Sequence, residues 1–348
     1  RIKDYNSSQQ IILSKNFKKN FVEDKEKLIR LLDIEAKNNE KLGKFNKAFE
    51  VVLERNSNII ALEENKKYKK EIMNDILEKY KKFYKKVNIN KIIKNENYKE
   101  DKRLAFLIGF PRSGTTLLDT ILRTHSKITV LEEKPYLLNE RHNFFIENKN
   151  NLDALKNITS AQKLDIRKKY FENINFYKTS NFIIDKFPLS IVEIGFIKCI
   201  FPEAKIILSI RHPCDVVISC FFSLFKINEA MIHFLNWSDT LNFYNNVFQL
   251  FESYEKELGL TYYQIKYEDV VTNFKKNISD LLEYLELDYE ENLINFNNTA
   301  KKRSKILTPS YTQVIKPLYT TSIGRWKNYK DRISPDLFLE KWIKRFNY

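Results

Sequence analysis

The chain has 348 residues, enough for one large domain or two ordinary ones with a sizeable buried core. Its 43% hydrophobic and 14% aromatic content excludes a disordered chain. The formal charge of +15 suits anionic partners, but lysines and glutamates are interspersed along the whole chain, which argues against a dedicated nucleic-acid surface.

In chain order, residues 1–100 read as helix throughout. Leu28, Leu31, Leu32 and Ile34 form one apolar face, and Phe45, Ala48, Phe49, Val52 and Leu53 form another at i, i+3, i+4 spacing. Between them, Leu42-Gly43-Lys44-Phe45-Asn46-Lys47-Ala48-Phe49 resembles the middle of a tetratricopeptide repeat, where a glycine separates two helices and an alanine lets them pack closely. A single degenerate unit is equally an ordinary helical hairpin, since repeat arrays need about three units for stability. Ile72 to Val87 reads as a further amphipathic helix with Tyr80, Phe83 and Tyr84, and the Lys/Asn-rich stretch 88–102 marks a boundary. The expected domains are therefore 1–100, helical, and 101–348.

Beyond the boundary the texture changes. Leu104–Ile108 is a continuous apolar run of strand length, as in a parallel strand buried on both faces. A glycine loop follows, then Leu117, Leu118, Ile121 and Leu122 at helical spacing. Similar runs recur at 128–131, 182–184, 205–210 and 261–265, most of them separated by helical segments. The alternation predicts an α/β fold with a mainly parallel sheet flanked by helices, in which ligands sit outside the carboxyl ends of the strands.

Gly109-Phe110-Pro111-Arg112-Ser113-Gly114-Thr115-Thr116 follows the first of these strands and opens a helix, the context of a P-loop-type phosphate site. Glycines let backbone N–H groups turn inward, and the helix N-terminus favours an anion. The hydroxyls of Ser113, Thr115 and Thr116 add donors, and Arg112 adds a permanent cation. Thr115 stands where a nucleotide triphosphatase carries lysine, and Asp185 is the nearest candidate for a magnesium-holding carboxylate. A metal-free donor with one transferable anionic group fits this loop better than ATP.

Phe110–Leu118 resembles the 5′-phosphosulfate loop of sulfotransferases that use 3′-phosphoadenosine 5′-phosphosulfate (PAPS). It is most similar to the tyrosylprotein sulfotransferases and to the bacterial enzymes fused to tetratricopeptide repeats. The resemblance spans roughly 104–333 through several ordered motifs. Ile210–Ser219 resembles the 3′-phosphate site, which implies that role for Arg211, just past a strand end, and for Ser219. Asp185-Lys186-Phe187-Pro188 resembles the family's Lys-x-Pro segment, which implies that Lys186 lies by the transferring group. Pro309–Pro317 followed by Ser322–Trp326 resembles the closing loop, which implies Ser310 beside the sulfuryl group and Arg325 at the 3′-phosphate. Tyr267 matches a tyrosine near the nucleotide.

Glu132-Glu133 ends the 128–131 segment, and the resemblance implies that Glu133 is the general base. Adjacent carboxylates on a strand diverge, so only one is expected in the site. The expected reaction is in-line transfer of the PAPS sulfuryl group to an acceptor hydroxyl, leaving 3′-phosphoadenosine 5′-phosphate (PAP). Arg112, Lys186 and Ser310 would stabilise charge, without metal. Protein tyrosine, glycan and small-molecule acceptors stay open; the positions where the animal tyrosylprotein enzymes carry arginines are Pro135 and Asn139 here, with Lys134 and Arg141 nearby. A protein or peptide acceptor would dock with help from the helical region, and a homodimer is left open. A small-molecule kinase and a non-catalytic helical scaffold with a degenerate transferase domain are the alternatives. Cys199, Cys214 and Cys220 form no CxxC pattern, so neither a disulfide framework nor a zinc site is expected. The secretory tyrosylprotein enzymes carry cysteines flanking the site where this chain has Leu131 and Asp185, so the resemblance implies a cytoplasmic location. No apolar stretch is long enough to span a bilayer. Arg1 is not a start residue, so a preceding segment stays open.

Overall fold

The computed structural model describes residues 24–87, 92–93, 103–175, 182–302, 314–315, 318–333 and 337–348. In chain order the helices and strands are α1 (Lys25–Lys41), α2 (Phe45–Ile60), α3 (Lys70–Lys86), β1 (Arg103–Gly109), α4 (Thr115–Leu122), β2 (Ile128–Glu132), α5 (Tyr136–Glu147), α6 (Ser160–Asn175) and β3 (Phe182–Lys186). There follow α7 (Ile194–Ile200), β4 (Lys205–Ile210), α8 (Pro213–Phe222), α9 (Trp237–Leu258), β5 (Tyr263–Lys266), α10 (Tyr267–Thr272), α11 (Phe274–Tyr284), α12 (Phe296–Lys302) and α13 (Leu337–Arg345).

The chain divides into two compact units, Ile76–His212 with Asn246–Ile323, and Arg1–Asp75 with Pro213–Asn245 and Gly324–Tyr348. The boundary expected near residue 100 lies outside the described residues. In the first unit a five-stranded sheet has the order β2-β3-β1-β4-β5, with every pairing parallel. β1 is central because its apolar run is buried on both faces, with Leu104 to Ile108 all in the core. One face packs Ile121 of α4 and Ile278 and Leu281 of α11 against Leu107, Ile184 and Ile207. On the other face the rings of Phe106, Tyr170 and Phe201 meet. The chain enters β1 in the middle of the sheet, and its later strands lie on both sides. The crevice at the carboxyl ends beside β1 is therefore the place where such sheets take ligands.

The second unit is helical. Gly43, in the left-handed region at φ 72°, turns α1 back along α2. Arg55 of α2 is buried. Its guanidinium lies 2.7 Å from Asp33 of α1 and donates to the carbonyls of Phe221 and Phe222 at the C-terminal end of α8. Those carbonyls have no intrahelical partner, so the buried cation satisfies them. Phe49 packs edge-on against Trp237 and lies beside Phe221, Phe222 and Tyr329. Two residues assigned to the apolar faces by spacing are instead exposed, Ile34 at 50% and Leu53 at 41%. Ile34 falls on the outward stripe with Arg30, Lys37 and Lys41, and Leu53 on that with Glu50, Ser57 and Ile60. No helix among the described residues is long and apolar enough to cross a membrane.

Candidate active site

The loop between β1 and α4 is held in shape by its neighbours. A Cβ on Gly109 would overlap the carbonyl oxygen of Ser209 on β4, so glycine is required by close approach. The Ser209 hydroxyl donates to the Ser113 carbonyl at 2.9 Å, and the Ser113 N–H donates back to Phe110 at 3.2 Å. Phe110 is buried and stacks on Phe248 of α9 at 6.4 Å. Gly114 has φ 101°, and a Cβ there would lie 3.0 Å from the Tyr267 ring. Arg112 also lies in the left-handed region, at φ 70°, which for arginine stores strain of the kind found at functional sites. Gly114 precedes α4 and brings no capping side chain, as suits a helix N-terminus that takes an anion. Ser113 Oγ is buried with no hydrogen-bond partner among the described residues, a costly state that a phosphate oxygen would relieve. Thr115 and Thr116 occupy the first turn of the helix, both buried. The cradle fits a phosphate group.

Lys186, the last residue of β3, is fully buried, yet three carboxylates surround its ammonium. Glu133 Oε1 is 2.7 Å from Nζ, Glu132 Oε1 3.7 Å and Asp119 Oδ2 3.8 Å. A cation so far from water needs such partners. The expectation that only one of Glu132 and Glu133 enters the site does not hold. Glu132 is in register with Lys186 across the β2–β3 ladder, which puts both side chains on one face. The Glu133 N–H extends that ladder to the Lys186 carbonyl at 2.8 Å, and its φ of 47° then turns the side chain back toward the lysine. Asp119, buried on α4 and also 2.8 Å from Arg123 Nε, escaped the sequence reading. Its i, i+4 spacing to Arg123 has the signature of an ordinary surface pair. Asp185 lies on the opposite face, where it accepts a hydrogen bond from Tyr170 at 2.9 Å, and burial pushes its carboxyl up to about 7.

At the ends of β4 and β5, Arg211 and Tyr267 meet, with the guanidinium 4.9 Å from the ring centroid. Arg211 also donates to the Ser322 carbonyl, and the His212 N–H donates to Glu268 at 3.0 Å. Burial pushes the Tyr267 phenol above its usual range. The five parallel strands thus deliver the phosphate loop, Glu133, Lys186, Arg211 and Tyr267 at their carboxyl ends.

The remaining expected residues belong to the helical unit or lie outside the described residues. Ser219 is buried on α8, and its carbonyl accepts from the Ser223 hydroxyl at 2.6 Å. One turn earlier, Asp215 accepts from the N–H groups of Gly324 and Trp326, each at 2.8 Å, and so caps the 3₁₀ turn Arg325–Tyr329. Arg325 lies over the Phe222 ring at 4.7 Å and pairs with Glu40 of α1. Ser310 lies outside the described residues, as do all but Val314 and Ile315 of the motif 309–317. Among the described residues no cluster of His, Cys, Asp and Glu could hold a metal ion, and the three cysteines are buried and form no disulfide.

The model of the sulfotransferase family matches residues 105–291. That span contains Arg112, Glu133, Lys186, Arg211, Ser219 and Tyr267, and it ends before Ser310 and Arg325. An uncharacterized protein of Aquifex aeolicus is 26% identical over 245 residues, 67% of this chain and 32% of that protein. Protein-tyrosine sulfotransferase 1 of Danio rerio is 24% identical over 245 residues, 66% of this chain and 67% of that protein. The chain thus spans about a third of the first relative and two thirds of the second. Among solved structures, the sulfotransferase domain of the Synechococcus PCC 7002 olefin synthase is 20% identical, with a TM-score of 0.49 over 73% of this chain and 98% of that domain.

Proposed function

This chain belongs to the sulfotransferase family, and on that premise we propose that it moves the sulfuryl group of PAPS to an acceptor hydroxyl. The observation that carries the reading is the Glu133–Lys186 pair at 2.7 Å, set at strand ends of the same parallel sheet as the phosphate loop. When bound, PAPS supplies a sulfuryl group attached to a phosphate that departs as part of PAP.

Each part of the chain has a distinct task in this proposal. The loop N–H groups, the Ser113, Thr115 and Thr116 hydroxyls and Arg112 hold the 5′-phosphosulfate. Arg211, Ser219 and Arg325 take the 3′-phosphate, with Tyr267 beside the nucleotide. Glu133 accepts the proton of the acceptor hydroxyl as its oxygen attacks sulfur and the bond from sulfur to the departing phosphate oxygen breaks. Lys186 and Arg112 stabilise the charge that grows on that oxygen, and Ser310 joins them by the family resemblance. Positioning and electrostatics carry the acceleration, as in phosphoryl transfer, and no step calls for a metal. Arg141 donates to Tyr80 at 2.8 Å and lies 3.5 Å from Glu193, so its charge is neutralised internally, which weighs against an acidic peptide acceptor.

Calorimetric titration tests the nucleotide assignment. The wild-type chain should bind PAP more tightly than ATP with magnesium, and Arg211→Ala should weaken PAP by about tenfold or more, the loss of one charge-assisted contact. Tighter binding of ATP than of PAP would replace this reading with phosphoryl transfer.

A further inference from the structure

The arginine that the proposal assigns to the 3′-phosphate is not an independent side chain. Arg325 is held on three sides, all within the helical unit. Its backbone begins a 3₁₀ turn capped by the Asp215 carboxylate. Its guanidinium carbon lies over the Phe222 ring, 4.7 Å from the centroid. Nε donates to Glu40 Oε1 at 2.9 Å, Nη2 lies 2.8 Å from that oxygen as an ion pair, and the Tyr329 hydroxyl donates to it at 2.7 Å.

Glu40 stands one residue from the end of α1, in the N-terminal helical pair and far in sequence from every motif that the family resemblance uses. An arginine offers five N–H donors in a rigid plane. Glu40 takes the Nε hydrogen and lies in ion-pair range of Nη2, and the Phe222 ring lies against the group. The edge carrying Nη1 is left for an oxyanion, in the flat geometry suited to bidentate phosphate. Asp215 and Ser219 share one face of α8, one turn apart, so the turn that bears Arg325 is fastened to the face that carries the other 3′-phosphate residue of this unit. Glu40 also opposes the charge of a phosphate, but both partners are partly solvent-exposed, at 27% and 21%, and that repulsion is screened. The ordering of a long, rotamer-rich side chain before ligand arrives is not screened.

We infer that Glu40 is a positioning residue for nucleotide binding, so that the N-terminal helical pair is part of the machinery that selects a 3′-phosphorylated nucleotide. The inference rests on the assignment of Arg325 to the 3′-phosphate. Its signature is selective, because a group acting through Arg325 affects ligands that carry a 3′-phosphate and spares those that do not.

The test is titration of the full chain and its variants with PAP and with AMP, which lacks that group. Glu40→Ala should raise the Kd for PAP about tenfold, equivalent to about 1.4 kcal/mol, and leave AMP within about twofold. Glu40→Gln keeps an oxygen acceptor without the charge and should lower the PAP-to-AMP preference by about threefold; it carries the test if the alanine variant does not fold. An unchanged or increased preference in the folded variants, or equal weakening of both nucleotides, overturns the role of Glu40. A wild-type chain that does not prefer PAP to AMP removes the 3′-phosphate assignment itself, and the inference falls with it.

Discussion

Asp185 and Lys186 are neighbours on β3 that face opposite sides of the sheet, and their surroundings give them opposite tasks. Lys186 meets Glu133, Glu132 and Asp119 on the side of α4, whereas Asp185 meets the Tyr170 hydroxyl on the side of α6. Burial raises the Asp185 carboxyl from 3.8 to about 7. A carboxyl raised by folding holds its proton more tightly in the native chain. It therefore costs nothing below the unfolded value and destabilises increasingly as pH rises through the folded one. Urea unfolding of the wild type and Asp185→Asn should show the wild type losing stability relative to the variant between pH 4 and 7, by on the order of 3 kcal/mol. A difference independent of pH would show that Asp185 is ionised throughout. At this scale the strand-end positions of Glu133, Lys186, Arg211 and Tyr267 were legible in the sequence, because apolar runs stop just before them. Asp119, Asp215 and Glu40 were invisible, since each acquires its partner only through tertiary packing. The convergence of Glu132 with Glu133 depends on one positive φ that no strand pattern encodes.

Among the elements, the strands were the most legible, because a parallel sheet covered on both faces demands uninterrupted apolar runs. β1, β2, β3 and β4 lie where those runs lie, and β5 is shifted only slightly, to Tyr263–Lys266. Helix faces were less legible at their edges: a 3.6-residue period locates the stripe, but not how far around the helix the packing reaches, which is why Ile34 and Leu53 are exposed. Two glycines with positive φ separate turn geometry from ligand geometry. Gly43 at φ 72° has nothing within 4 Å of an added Cβ, whereas Gly114 at φ 101° would press on the Tyr267 ring. Gly43→Ala should cost about 1 kcal/mol of stability and leave PAP binding unchanged. Gly114→Ala should destabilise by roughly 1–3 kcal/mol and weaken PAP at least about tenfold. Thermal melts and titrations of both variants check the contrast; equal PAP affinities would detach Gly114 from the nucleotide.

For the molecule as a whole, the family and the α/β architecture were readable in advance, but the assembly of the helical unit was not. Arg55 joins residues far apart in sequence, from Asp33 to Phe221 and Phe222, and the aromatic set of Phe49, Trp237 and Tyr329 does the same. Such long-range pairing leaves no periodic trace. The charge of +15 is a property of the whole chain, whereas the proposed site depends on a few ions: one buried lysine held by carboxylates, and arginines at the proposed phosphate positions. The most direct measurement of the central claim uses PAPS labelled in its sulfuryl group, incubated with a cell extract and either the wild-type chain or Glu133→Ala, with PAP affinity measured alongside. The wild type should transfer label to an acceptor, and the variant should bind PAP within about twofold while transferring about 10²–10⁴-fold more slowly, the range for loss of a general base. Undiminished transfer by Glu133→Ala, or no transfer by a wild-type chain that binds PAP, would contradict the account.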